Sequence, residues 1–194
     1  MNGLGKLLLN IRKLNNIARW SNEFVHQRAS VSEHSFFVAQ IAQMLGTIEE
    51  EMGGTVDWKT LYRRALNHDV PESLMGDVIS TTKNMNEATK RVMEEAEAQF
   101  IDDLLAEVPA PYKGEYHELL SQGKDDTLEG QILTAADNLD ALVECIQEIR
   151  LSNTDPFIEK YFLVLKKIES IPLASVQYFL KEVLPELVGK CKLR

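Results

Sequence analysis

Four residues carry polar chemistry at positions where the sequence pattern calls for apolar side chains. His34 falls one turn before Phe37 and Val38 and two before Ile41, on the apolar stripe of its segment. His68 continues the stripe of Leu61 and Ala65, and Asp69 follows it directly. Asp137 lies one turn after Leu133 in the most apolar stretch of the chain. A buried carboxylate must be paired, protonated or bound to metal, because burying it alone is costly. Two carboxylates and two imidazoles facing a core satisfy one another poorly as free groups. A divalent cation resolves the conflict, giving charge to the carboxylates and a Lewis acid to the imidazoles. Four protein ligands leave an octahedral metal about two positions for water or substrate oxygen. Open positions mark a catalytic rather than a structural site. The His-Asp dipeptide alone is weak evidence, and the reading rests on His34, His68, Asp69 and Asp137 as a set.

The elements that must position these residues read as helices. Segment 4–18 places Leu4, Leu7, Leu8, Ile11, Leu14 and Ile17 on one stripe. Segment 31–51 repeats Val31, His34, Phe37, Val38, Ile41, Leu45 and Ile48 at helical spacing. Ser30 or Ser32 is placed to cap its start, and Gly53-Gly54 to close it. Asp57 caps a helix running to about Asp69. Pro71 sits where a helix ends or restarts, and a short turn or helix covers Glu72 to Met75. A long amphipathic helix is expected over 84–107, broken by Pro109 and Pro111, and a shorter one at about 113–121. Segment 127–150 is apolar on most of its circumference and is expected to be central and buried. Two more helices follow, at about 155–168 and 173–190. No alternating run argues for a strand. The expectation is one all-α domain over 1–194.

Composition narrows the function classes. The 194 residues are 44% hydrophobic and 26% charged, ordinary for a globular chain. A net charge of -9 argues against binding nucleic-acid polymers, which requires neutralising phosphates with Lys and Arg. It leaves room for a small anionic substrate, since a metal and one Arg make a locally positive pocket. No apolar run approaches the roughly 20 residues that span a bilayer, and no signal-peptide pattern is present. The expectation is a cytoplasmic protein with no membrane partner. Cys145 and Cys191 lack Cys-x-x-Cys spacing, and Cys145 reads as a buried thiol. His26 and His117 read as surface residues, and Glu49-Glu50-Glu51 and Glu94-Glu95 as solvated helix faces.

The pattern His34, His68-Asp69 and Asp137 in an all-helical chain resembles the HD-domain superfamily of metal-dependent phosphohydrolases. The flanking residues Arg19-Trp20, Val31-Ser32-Glu33-His34-Ser35, Glu72 and Gly76-Asp77 resemble its bacterial 5′-deoxynucleotidase branch, from about Arg19 to about Glu148. The resemblance implies an HD-domain helical bundle with a buried metal site. It also implies hydrolysis of deoxyribonucleoside 5′-monophosphates to nucleoside and phosphate. The metal would be one divalent cation, Co2+ or Mn2+ foremost, with Mg2+, Fe2+, Ni2+ or Zn2+ also accepted by such ligands, and the assembly a homodimer. The chain departs from the branch after Asp77, where Val78-Ile79-Ser80-Thr81-Thr82 replaces a Thr-Pro element.

Residue chemistry and the resemblance together suggest roles. Arg19 would neutralise the phosphate with its planar guanidinium. Glu72, close to Asp69 and not needed as a ligand, is the candidate general acid/base. Trp20 would offer a flat wall against the sugar, where a 2′-hydroxyl fits poorly. Asp77 would accept a hydrogen bond from the 3′-hydroxyl, and Ser80 would add a contact. His34, Asp69 and Asp137 would border the substrate as well as the metal. Singly, these residues have plainer readings: a surface ion pair for Arg19, a helix cover for Trp20, a first-turn acid for Glu72 and a turn pair for Gly76-Asp77. Competing functions are hydrolysis of another nucleotide (a triphosphate, a cyclic nucleotide or an alarmone), a non-catalytic metal- or nucleotide-sensing module, and a metal-free helical scaffold.

Overall fold

The computed structural model describes residues 3–76 and 85–189. In order these form α1 (Gly3–Ile11), a 3-10 turn (Arg12–Asn16), α2 (Val31–Glu51), α3 (Trp58–Asn67), α4 (Glu72–Met75), α5 (Glu87–Leu105), α6 (Ala110–Ser121), α7 (Leu128–Arg150), α8 (Thr154–Glu169), α9 (Ala174–Tyr178), a π-helical turn (Phe179–Val183) and α10 (Leu184–Val188). Among the described residues the extended pairing is an isolated antiparallel bridge between Ala18 and Ser30. The all-α expectation holds. No described helix is long and apolar enough to cross a membrane.

The described residues fall into two compact units that interleave along the chain. One draws on Met1–Asn22, Arg28–Ser35 and Asn67–Gly123, the other on Glu23–Gln27, Phe36–Leu66 and Lys124–Arg194.

The first unit is built on Leu7, Leu14, Val31, Val70, Ile101, Leu104, Leu105, Val108 and Leu120, with Leu4, Ile11, Ile17 and Tyr116 packed against them. Burying such side chains stabilises by about 1.5–3 kcal/mol each. Val31 stands one turn before His34, and Val70 directly follows Asp69. The apolar core thus anchors both stretches that carry candidate ligands. At the head of α2, the Ser30 N–H donates to Glu33 Oε2 at 2.7 Å while the Ser30 hydroxyl accepts the Glu33 N–H at 3.3 Å. This reciprocal capping box identifies Ser30, rather than Ser32, as the cap. The Ser30 backbone and then its hydroxyl hold the Glu33 carboxyl below the usual range.

The second unit centres on α7, where Ile132, Leu133, Ala135, Ala136, Leu139, Leu142, Cys145 and Ile146 are buried. It packs against α8, which buries Phe157, Tyr161 and Ile168. Buried Arg64 of α3 donates to Asp125 Oδ1 at 2.8 Å and to Thr127 Oγ1 at 3.0 Å. Thr127 Oγ1 in turn accepts the Gly130 N–H at 3.2 Å, capping α7. The Arg64 guanidinium, with help from Thr127, lowers the Asp125 carboxyl to about 2. Gly130 is required here: a Cβ would stand 2.0 Å from Asp125 Oδ1 and 2.5 Å from the Asp125 carbonyl oxygen. Burial pushes the Glu148 carboxyl up, but hydrogen bonds from the Asn153 amide and the backbone N–H groups of His26 and Gln27 outweigh it and leave it below the ordinary value.

Several expectations are corrected. The first helix stops at Ile11 and continues as the 3-10 turn, and Leu8 is exposed rather than on the buried stripe. Phe37 is 53% exposed, and the buried line through this part of α2 is Val38, Ala42 and Leu45. The long helix does end before Pro109, but the next one, expected from about 113, already starts at Ala110 with Pro111 in its first turn, where Pro is tolerated because those N–H groups have no intrahelical partner. Glu49 is buried, because its carboxylate accepts the Ser175 N–H at 2.7 Å and satisfies the start of α9. His26 and His117 are exposed and Cys145 is buried, as expected.

Candidate metal centre

The Ser30–Glu33 box fixes where α2 begins, and therefore where its fourth residue points. The His34 N–H donates to the Ser30 carbonyl at 3.0 Å, closing the first turn, and the ring is buried. After α3 the chain turns tightly. The Val70 N–H bonds to the Asn67 carbonyl at 3.1 Å and the Glu72 N–H to the Asp69 carbonyl at 3.0 Å. These turns bring the adjacent side chains of His68 and Asp69 into one cluster with His34. Asp69 Oδ2 stands 3.3 Å from His34 Nε2 and 3.3 Å from His68 Nε2. The two imidazole centroids are 5.4 Å apart, at 62°.

One donor atom from each of His34, His68 and Asp69 lies within 4.8 Å of the others, a grouping that could hold a metal ion. Ligands about 2.1 Å from a shared cation, at right angles to one another, stand about 3 Å apart. The His–Asp separations match that spacing. Two imidazole nitrogens and a carboxylate oxygen suit first-row divalent metals. The imidazoles are sunk to 0% and 4% side-chain exposure, whereas Asp69 keeps 16%, so the carboxylate marks the open side of the cluster.

Glu72 is the first residue of α4, one turn after Asp69, and is buried. Its carbonyl accepts the Gly76 N–H at 2.7 Å, and Gly76, at φ 78°, ends the helix in a conformation glycine adopts without strain. Arg19 and Trp20 lie at the end of the stretch that pairs with Ala29–Val31, ahead of α2. The Arg19 guanidinium carbon is 6.0 Å from the centroid of the Trp20 ring. Asp137 lies on α7 in the second unit, where it forms an ion pair with Lys124. The three-residue cluster therefore contains three of the four expected ligands, all in the first unit. Asp77 and Ser80 lie outside the described residues. Lys124 was not singled out from sequence, and no local pattern links it to a carboxylate thirteen positions along the chain.

The family model described as 5′-deoxynucleotidase YfbR-like matches residues 6–187 of this chain. A 5′-deoxynucleotidase of Shewanella oneidensis is 28% identical over 183 residues, covering 94% of this chain and 93% of that protein. One of Vibrio vulnificus is 27% identical over 175 residues, covering 87% of each. The crystal structure of an HD-domain phosphohydrolase from Listeria innocua is similar with a TM-score of 0.89 at 38% identity, covering 96% of this chain and 90% of that one.

Proposed function

Because the chain belongs to the YfbR-like 5′-deoxynucleotidase family, and is a metal-dependent phosphohydrolase, we propose that it releases phosphate from deoxyribonucleoside 5′-monophosphates. The observation that carries the reading is Asp69 set 3.3 Å from two buried imidazoles, with buried Glu72 one turn further on.

In this reading His34, His68, Asp69 and Asp137 hold one divalent cation. Co2+ or Mn2+ is the first choice, and Mg2+, Fe2+, Ni2+ or Zn2+ are also compatible with such donors. The bound cation supplies Lewis-acid polarisation of the phosphoryl group and acidifies water. The chain's own residues do the rest. Arg19 binds and neutralises the phosphate. Glu72 carries the proton: it receives one from the attacking water and returns one to the departing 5′-oxygen as the phosphorus–oxygen bond breaks. The products are a deoxyribonucleoside and inorganic phosphate. Trp20 lies against the sugar, Asp77 accepts from the 3′-hydroxyl and Ser80 adds a contact. The unit of function is one HD domain spanning the chain, acting as a cytoplasmic homodimer on small nucleotides.

Phosphate release from a panel of ribo- and deoxyribonucleoside 5′-monophosphates, with each metal in turn, tests this. Turnover of deoxyribonucleotides above ribonucleotides is expected. Cleavage of triphosphates or diesters, with monophosphates untouched, would overturn it. Sedimentation of the purified protein tests the homodimer.

A further inference from the structure

We propose that Arg28 is a positioning residue for the substrate, holding Arg19 and Trp20 through their backbone carbonyls. The inference rests on the assignment of Arg19 and Trp20 to phosphate and sugar.

Residues 17–19 and 29–31 pair as a short ladder. The Arg19 N–H donates to the Ala29 carbonyl at 3.0 Å and the Val31 N–H to the Ile17 carbonyl at 2.9 Å. The ladder ends at Arg19, and Trp20 follows at φ 52°. Among the described residues only Trp20 and Ser152 combine a side chain with positive φ. For a residue as bulky as tryptophan this region is disfavoured, and it persists only where the surroundings impose it. Arg28 Nη1 imposes it here, donating to the Arg19 carbonyl at 3.2 Å and the Trp20 carbonyl at 3.3 Å.

These two carbonyls flank the Trp20 Cα, so their relative direction is set by the φ and ψ of Trp20. In extended backbone successive carbonyls point to opposite sides, and one donor reaches both only when the residue between them is turned. A single guanidinium nitrogen therefore locks the strained residue. The same lock keeps the Arg19 guanidinium beside the Trp20 ring, at the edge of cation–π range. Arg28 itself is exposed and acts through main chain.

The test combines kinetics with fluorescence. Arg28→Ala should raise KM for a deoxyribonucleoside 5′-monophosphate by about tenfold, narrow the preference over the ribonucleotide and leave kcat within about threefold. Arg28→Lys should recover part of the loss, since an ammonium retains the donors. Glycine adopts positive φ without help, so in a Trp20→Gly background Arg28→Ala should change KM by less than about twofold. The chain has two tryptophans. In a Trp58→Phe background, Arg28→Ala should shift Trp20 emission with no ligand present. An equal rise in KM in both backgrounds would show direct substrate contact and overturn the proposal. So would unchanged emission together with unchanged KM. If Arg19→Ala and Trp20→Ala leave KM unaltered, it is the assignment of those two residues that fails, whatever the emission shows.

Discussion

Glu33 folds back onto Ser30 at the head of α2, its carboxylate accepting the Ser30 N–H at 2.7 Å while the Ser30 hydroxyl accepts the Glu33 N–H at 3.3 Å. His34 is the next residue, so the cap that starts the helix also orients the most buried candidate ligand.

Ser30→Ala should cost about 1 kcal/mol, the usual value of a lost N-cap. In a domain of this size that lowers Tm by about 2–4 °C. The Glu33 carboxyl is held below its ordinary 4.5 in the folded chain. Its contribution is therefore present above pH 4.5 and is lost as pH falls through the lower, folded value. Thermal melts of wild type and Glu33→Gln, which removes the titrating group and keeps the Ser30 hydroxyl as cap, should differ at pH 7 and converge in acid. A difference that persists unchanged at pH 2 would rule out the capping-box explanation.

Single replacements of His34, His68 or Asp69 by Ala should each weaken divalent-metal binding by more than about 100-fold, beyond the loss typical of groups that merely support a ligand. Calorimetric titration with Mn2+ and metal analysis of the purified variants read this directly. Asp137→Ala is the informative partner variant. Matching loss of metal affinity is expected, whereas wild-type affinity would show that Asp137, which pairs with Lys124, is not a metal ligand.

Glu72→Gln keeps the shape of the side chain and removes its capacity to carry a proton. The expected result is a kcat lower by about 10²–10⁴ with metal content retained. The limb of the pH–rate profile that reports Glu72 should disappear as well. Loss of metal in this variant would make Glu72 a ligand and refute the acid/base role.

Asp125 neutralises buried Arg64, and removing it leaves a guanidinium unpaired below the surface. Because the Asp125 side chain is 46% exposed, solvent screens the pair, and Asp125→Ala should cost about 1 kcal/mol. The folded carboxyl titrates at about 2 against an ordinary 3.8. Its stabilising contribution is complete above pH 3.8 and fades between there and about pH 2. Denaturant unfolding at pH 7 and pH 2.5 checks both the size and the window.

Residue order made most of the helices, though not all their ends, and the kind of chemistry legible. Periodicity marks which face of a helix is buried, and His34, His68 and Asp69 are visible because each breaks an apolar face at a cost that something must offset. Glu72 as a first-turn acid, and a serine cap at Ser30 or Ser32, are legible for a local reason, since such residues act within one turn of themselves; the hydrogen bonds of the folded chain chose Ser30. What the sequence could not determine is what each face meets. Phe37 and Glu49 illustrate this: period put the phenylalanine inside and the run of three acids put the glutamate outside, while packing left Phe37 in solvent and the start of α9 drew Glu49 inward to a backbone amide. Tertiary structure alone set Asp69 equidistant from two imidazoles on different segments. It also gave Asp137 the Lys124 ammonium and put the Arg28 guanidinium on two carbonyls. Contacts between residues remote along the chain, and hydrogen bonds to main-chain oxygen above all, leave no mark on residue type, because every residue carries the same carbonyl.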